Sequence, residues 1–81
     1  MRMFHLGSNA LCPRAAIVGI FDLDTATVSR HTRDFLRRAQ EAGGIVTVGD
    51  DLPQTFIVTS ENVYLSPQSS ANVSKKLLTS P

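Results

Sequence analysis

Ala15-Ala16-Ile17-Val18-Gly19-Ile20-Phe21-Asp22-Leu23 is the stretch whose reading decides the fold. Ile17, Val18, Ile20, Phe21 and Leu23 form a near-continuous apolar run with β-branched and aromatic members, preceded by Pro13 and followed by polar residues. A run of that kind reads as a strand buried on both faces, which places it at the centre of a sheet. Gly19 weakens such a strand unless another backbone or side chain packs closely against it. The question for the rest of the chain is what covers this strand.

Downstream, the pattern changes period. Phe35, Leu36, Ala39 and Ala42 recur at helical spacing, so residues 30–42 are predicted to form an amphipathic helix about 20 Å long. Ser29 is a suitable N-cap, with Thr25 and Thr27 as alternative starts. Gly43-Gly44 closes the helix, one of the two glycines supplying the left-handed cap. On its polar side Asp34 can pair with Arg38, and Arg37 with Glu41, each pair worth a few tenths of a kcal/mol.

Upstream, Phe4-His5-Leu6 alternates as a short half-buried strand, and Gly7-Ser8-Asn9 has the chemistry of a turn. Ala10-Leu11-Cys12 returns as a second strand, stopped by Pro13. A hairpin of this size needs a surface to lie on. After the helix, Ile45 to Val48 forms a strand, Gly49-Asp50-Asp51-Leu52-Pro53 a polar loop, and Thr55 to Thr59 and Val63 to Ser66 two further strands. The last two are joined by Ser60-Glu61-Asn62 as a hairpin connection. Ser69-Ser70 then caps a short helix with Val73 and Leu77 on one face.

The expected architecture is a single α+β domain over residues 1–81. A small, mostly antiparallel sheet is joined by one long helix and a short C-terminal helix, in the order β-β-β-α-β-β-β-α. Consecutive Phe56, Ile57 and Val58 require cover on both faces of their strand. With one long helix to supply it, a neighbouring subunit is expected to provide part, and Phe56, Ile57, Val58 and Tyr64 are the candidate interface residues. A chain of 81 residues buries roughly 60–65% of its unfolded surface, a size at which self-association commonly adds stability.

Composition narrows the chemistry. Eight Lys/Arg against seven Asp/Glu give a net charge of +1, so the sum points to neither nucleic acid nor an acidic partner. The single cysteine, Cys12, has no partner for an internal bridge and reads as a small buried thiol. No stretch reaches the roughly 20 apolar residues of a membrane span, and a soluble cytoplasmic protein is expected. Asp22 and Asp24, two apart at a strand end, could offer a hard cation two carboxylates, but the preferred reading is that they end the strand and favour the helix that follows. His5 and His31 lack the partners of a general base. No glycine-rich loop opens a helix to cradle a phosphate. No catalytic residue, metal, cofactor or small-molecule substrate is inferred.

Arginine placement is more informative. At 100° per residue Arg30, Arg33 and Arg37 fall on one stripe of the long helix, a suitable geometry for bidentate phosphate contact. On one copy the preferred account of them is an ordinary solvated helix face. Around a closed ring the stripe and Arg14 would recur, and weak contacts would combine.

Five blocks carry a resemblance: Phe4-His5-Leu6-Gly7, Ile17 to Leu23, Thr32-Arg33-Asp34-Phe35-Leu36, Phe56 to Thr59, and Val63 to Pro67 with Ser69-Ser70. Together, over roughly residues 3–78, they resemble the bacterial extracellular-matrix regulator family, most closely its RemB-like branch, which is similar to the RemA regulators. The resemblance implies a small cytoplasmic α+β protein. In the RemA branch it also implies ring-like homo-oligomers that bind DNA and control biofilm-matrix genes. That branch carries arginines in the loop before the strand at Thr55, where this chain has Asp50 and Asp51. The basic position before the Ile17 strand is matched approximately, by Arg14.

The expected function is therefore a non-enzymatic, homo-oligomeric regulator acting on double-stranded DNA. Arg14, Arg33 and Arg37 are the leading phosphate contacts, with Arg30, Lys75 and Lys76 behind them. The alternative is the same oligomer serving as a protein-interaction or scaffold module, with the acidic loop meeting a protein partner.

Overall fold

The computed structural model describes residues 2–7 and 10–79. The expected turn at Ser8-Asn9 lies outside the described residues. Strands β1 (Met3–Gly7) and β2 (Ala10–Pro13) form an antiparallel hairpin. A single 3-10 turn, Arg14–Ala16, leads into β3 (Ile17–Asp22). Then follow α1 (Leu23–Ala26), α2 (Arg30–Glu41), β4 (Ile45–Thr47), β5 (Thr55–Thr59), β6 (Val63–Ser66) and α3 (Ser70–Thr79). The α+β class and the order of the main elements are as expected, with two short helical turns added.

The four-stranded sheet has the order β3-β5-β6-β4, with β4 parallel to β6 and the other pairs antiparallel. This corrects one expectation: β3 is an edge strand, and β5 holds the interior position beside it. The two strands are similarly apolar in sequence, but their environments differ. Thr55, Phe56, Ile57 and Thr59 of β5 are buried. No residue of β3 is, and Val18 and Phe21 are 72% and 44% exposed. A contiguous apolar run states how much burial a strand can use and leaves open which strand receives it.

Alternation along β5 sends Ile57 to one face and Phe56 and Val58 to the other. The Ile57 face is sealed from within the chain. The hairpin contributes Phe4, Leu6, Ala10 and Cys12, and α3 contributes Val73, to a core completed by Val48 and Tyr64. Ile57 is completely buried there and Tyr64 is 9% exposed. The hairpin therefore lies on the sheet, and cover assigned from sequence to another subunit comes, for Ile57 and Tyr64, from β1, β2 and α3. Neither side chain presents a surface to a second copy.

Local chemistry fixes the ends of the helices. Asp22 caps α1, its Oδ1 accepting from the amides of Asp24 at 2.9 Å and Thr25 at 3.3 Å. Ser29 occupies the N-cap position of α2 without a side-chain cap bond. At the far end the Gly44 amide donates to Ala39 O at 2.8 Å and the Gly43 amide to Gln40 O at 3.0 Å. That pair of bonds is a Schellman closure, and Gly43 sits at φ +74°, where a side chain would be strained. Ser69 Oγ accepts from the Asn72 amide at 3.2 Å and opens α3. At the β5–β6 turn, Thr59 Oγ1 donates to Asn62 O at 2.8 Å and accepts from the Asn62 amide at 3.0 Å, holding the three-residue connection.

Candidate nucleic-acid and self-association surfaces

The structure divides the six basic candidates into two groups. Arg30, Arg33 and Arg37 belong to α2, which lies over the Phe56 and Val58 face of the sheet. Arg14 reaches the C-terminal end of α3, the helix that carries Lys75 and Lys76, on the Ile57 side: an Arg14 guanidinium nitrogen (Nη2) donates to Leu77 O. A cation at that end also opposes the negative end of the helix dipole. No single flat face of the chain holds all six.

Within α2 the stripe points outward. Phe35 and Thr32 face the sheet, and at 100° per residue Arg30, Arg33 and Arg37 centre on the opposite side. Arg30 and Arg37 flank Asp34, with Arg30 Nε 3.9 Å and Arg37 Nη2 3.3 Å from its carboxylate. This corrects the expected Asp34–Arg38 and Arg37–Glu41 pairs. Three arginines lie one turn from Asp34, and its two oxygens take the residues four before and three after it. The arginine side chains remain 85% and 64% exposed. Exposed pairs of this kind are worth about 0–1 kcal/mol, so both guanidiniums can turn to another anion at little cost.

Arg33 is held differently. Its Nη1 donates to Thr27 O at 2.9 Å and to Val28 O at 3.1 Å, bracing the junction between α1 and α2. A guanidinium has five N–H donors, and those on Nε and Nη2 are left for a phosphate. Asp22, by contrast, spends Oδ1 on backbone amides. Among the described residues no group of three or more His, Cys, Asp or Glu is placed to hold a metal ion.

The sheet face under α2 has a feature that sequence reading missed. None of the residues of α2 is buried, and Phe35 is 44% exposed although it faces the sheet. Between the helix and the strands runs a groove of about 260 Å³ lined chiefly by Val18, Phe21, Thr32, Phe35, Phe56 and Val58. Phe21 stacks on Phe56 with centroids 5.1 Å apart and planes at 22°. Its ring folds back over Gly19, where an added Cβ would lie 2.6 Å from Phe21 Cε2. Gly19 thus carries the sequence signal for this site: the side chain expected to pack against it is Phe21. Of the interface candidates, Phe56 and Val58 line the groove. Phe56 is only 3% exposed, while Val58 is half-buried.

The comparisons with known proteins bear on these surfaces. No family model matches the chain. Extracellular matrix regulatory protein B of Bacillus subtilis (strain 168) is 33% identical over 72 residues, which span 89% of this chain and 85% of that relative. Its alignment runs through most of the chain, so the likeness is to the fold as a whole. The chain belongs to the extracellular matrix regulatory protein B family. Membership agrees with the resemblance carried by the five sequence blocks, and the relative's name describes it as a regulatory protein. For this family member, then, the α2 stripe and the open groove are the surfaces to explain. No helix among the described residues is long and apolar enough to cross a membrane.

Proposed function

We propose that this protein is a non-enzymatic regulator of bacterial extracellular-matrix genes that binds duplex DNA as a homo-oligomer, with Arg30, Arg33 and Arg37 contacting phosphates. The observation that carries this reading is the stripe itself: three arginines on the outward face of one rigid helix, two of them restrained by nothing stronger than an exposed ion pair with Asp34. A relative named for regulation of the extracellular matrix supplies the biological context. Phosphate contact positions a protein without reading sequence, and no side chain on α2 is assigned to base edges, so binding is broadly sequence-tolerant. Three contacts per copy give a log–log salt slope of about −2.7 per copy, multiplied in an oligomer.

The test is a titration against promoter-length duplex at low and at moderate salt, with wild type and an Arg30→Glu/Arg37→Glu variant. Wild type binds more tightly at low salt and the variant loses binding at both. Absence of wild-type binding at either salt refutes the DNA reading. A second reading, a protein-interaction module, is favoured by one observation: Leu52 is 87% exposed directly after exposed Asp50 and Asp51. It predicts a flat DNA titration together with a protein partner retained by wild type and lost by Leu52→Ser.

A further inference from the structure

The two ends of β3 differ in charge. At its C-terminal end, Asp22 pairs with Thr55 and the Leu23 amide donates to Gln54 O at 2.9 Å, which brings the β4–β5 loop alongside. Asp22, Asp24, Asp50 and Asp51 therefore gather at one end of the sheet, although nearly thirty residues separate the two pairs in sequence. At the N-terminal end, Ser60 donates to Ala16 O at 2.9 Å and Arg14 reaches Leu77 O, which brings the last turns of α3 alongside. Arg14, Lys75 and Lys76 gather there, offset in part by Glu61 of the β5–β6 turn. Arg30 begins α2 near the acidic end, on the other face of the sheet, and pairs with Asp34. About 20 Å of strand separates the two ends.

Between them lies the least sheltered apolar surface of the sheet. Among the described residues no strand pairs on the outer side of β3. Val18 and Phe21 open the groove toward that edge, 72% and 44% exposed. β3 carries no lysine or proline along this edge, and its pairing with β5 is irregular between Ile17 and Gly19 but regular from Gly19 to Asp22, which leaves a stretch on which another chain can settle.

We propose that two copies of this chain meet along β3 about a two-fold axis, each covering the other's Val18–Phe21 edge. The strands run antiparallel, so the acidic end of each copy faces the Arg14, Lys75 and Lys76 end of the other. The apolar contact supplies the affinity and the charges fix orientation. A two-fold contact uses each patch twice, and this arrangement sets each acidic end against a basic one. It rests on the homo-oligomer part of the proposed function and leaves the α2 stripe for phosphate.

Light scattering on wild type, three variants and their mixtures tests it, with circular dichroism to confirm folding. Wild type has the mass of a dimer or a multiple of it. Asp24→Lys/Asp50→Lys/Asp51→Lys, which leaves Asp22 alone against three lysines and so makes both ends basic, falls to half that mass or less, and so does Lys75→Glu/Lys76→Glu, with both ends acidic. An equimolar mixture of the two variants restores the two-fold contact, because each supplies the charge the other lacks. Val18→Asp, a change at an exposed position, dissociates the contact and no mixture rescues it. A monomeric wild type refutes both this contact and the homo-oligomer reading. An oligomeric wild type whose charge variants keep its mass, or whose mixture fails to recover it, overturns this contact alone.

Discussion

Replacing Ile57 by alanine should cost more than replacing the larger Phe21, because the chain seals one face of its sheet and leaves the other open. Ile57 is completely buried and belongs to a core that includes Phe4, Leu6, Cys12, Tyr64 and Val73. Truncating such a side chain removes its transfer energy and leaves a cavity walled by both sheet and hairpin, a loss of about 2–5 kcal/mol. Phe21 is 44% exposed and stacks on one ring, so its truncation forfeits the aromatic pair, about 0.5–1.5 kcal/mol, and part of a ring's burial. A chain of 81 residues has a total stability of roughly 4–12 kcal/mol, so Ile57→Ala consumes a large share of it. In urea, with a slope of about 1 kcal/mol/M, the midpoint falls by about 2 M or more for Ile57→Ala and by about 1–2 M for Phe21→Ala. The comparison belongs at concentrations where light scattering shows monomer, since a second copy over Phe21 would add to its cost. Equal costs for the two variants under those conditions refute the asymmetry between the faces.

Two further outcomes follow from local chemistry. Asp22→Ala removes the acceptor for two amides of α1 and lowers the melting temperature by about 4–8 °C, the equivalent of about 1 kcal/mol in a domain of this size, whereas Asp22→Asn keeps most of the cap; differential scanning calorimetry separates them, and equal melting for Ala and Asn removes the capping role. Burial pushes the Cys12 thiol above its ordinary value, so above about pH 8.5 the unfolded chain releases this proton while the folded chain retains it. The unfolded state then binds fewer protons and stability falls as pH rises. Urea midpoints between pH 8 and 10 should fall more for wild type than for Cys12→Ser, and parallel curves count against a shifted thiol.

Several elements could be read from local sequence because local chemistry alone builds them. Gly43-Gly44 closes α2 by the expected left-handed route, Ser69 opens α3, and Ser60-Glu61-Asn62 turns β5 into β6 within the expected bounds. Val73 and Leu77 sit on the inner face of α3 as their spacing predicts. The ion pairs of α2 were less accessible, since Asp34 has three arginines within one turn and spacing does not choose among them. The groove could not be found from β3 taken as a central strand, because a central strand has no exposed Phe21. Gly19 was the available clue, and its meaning depended on the direction of a ring two residues away.

Local sequence was enough for the six strands and the two longer helices, the α+β class, the arginine stripe on one helix and, through the five ordered blocks, the family. Helical and strand periods, caps and turns depend on residues a few positions apart, and those are written in the chain. Tertiary structure decided which apolar strand lies at the edge, which face the hairpin seals and how the distant charges are grouped. Asp22 and Asp24 come to the same end of the sheet as Asp50 and Asp51, and Arg14 reaches the end of α3, through the long-range backbone and side-chain hydrogen bonds of Leu23, Ser60 and Arg14. Strand order is a competition among similar apolar segments for limited cover, and only the assembled chain settles it.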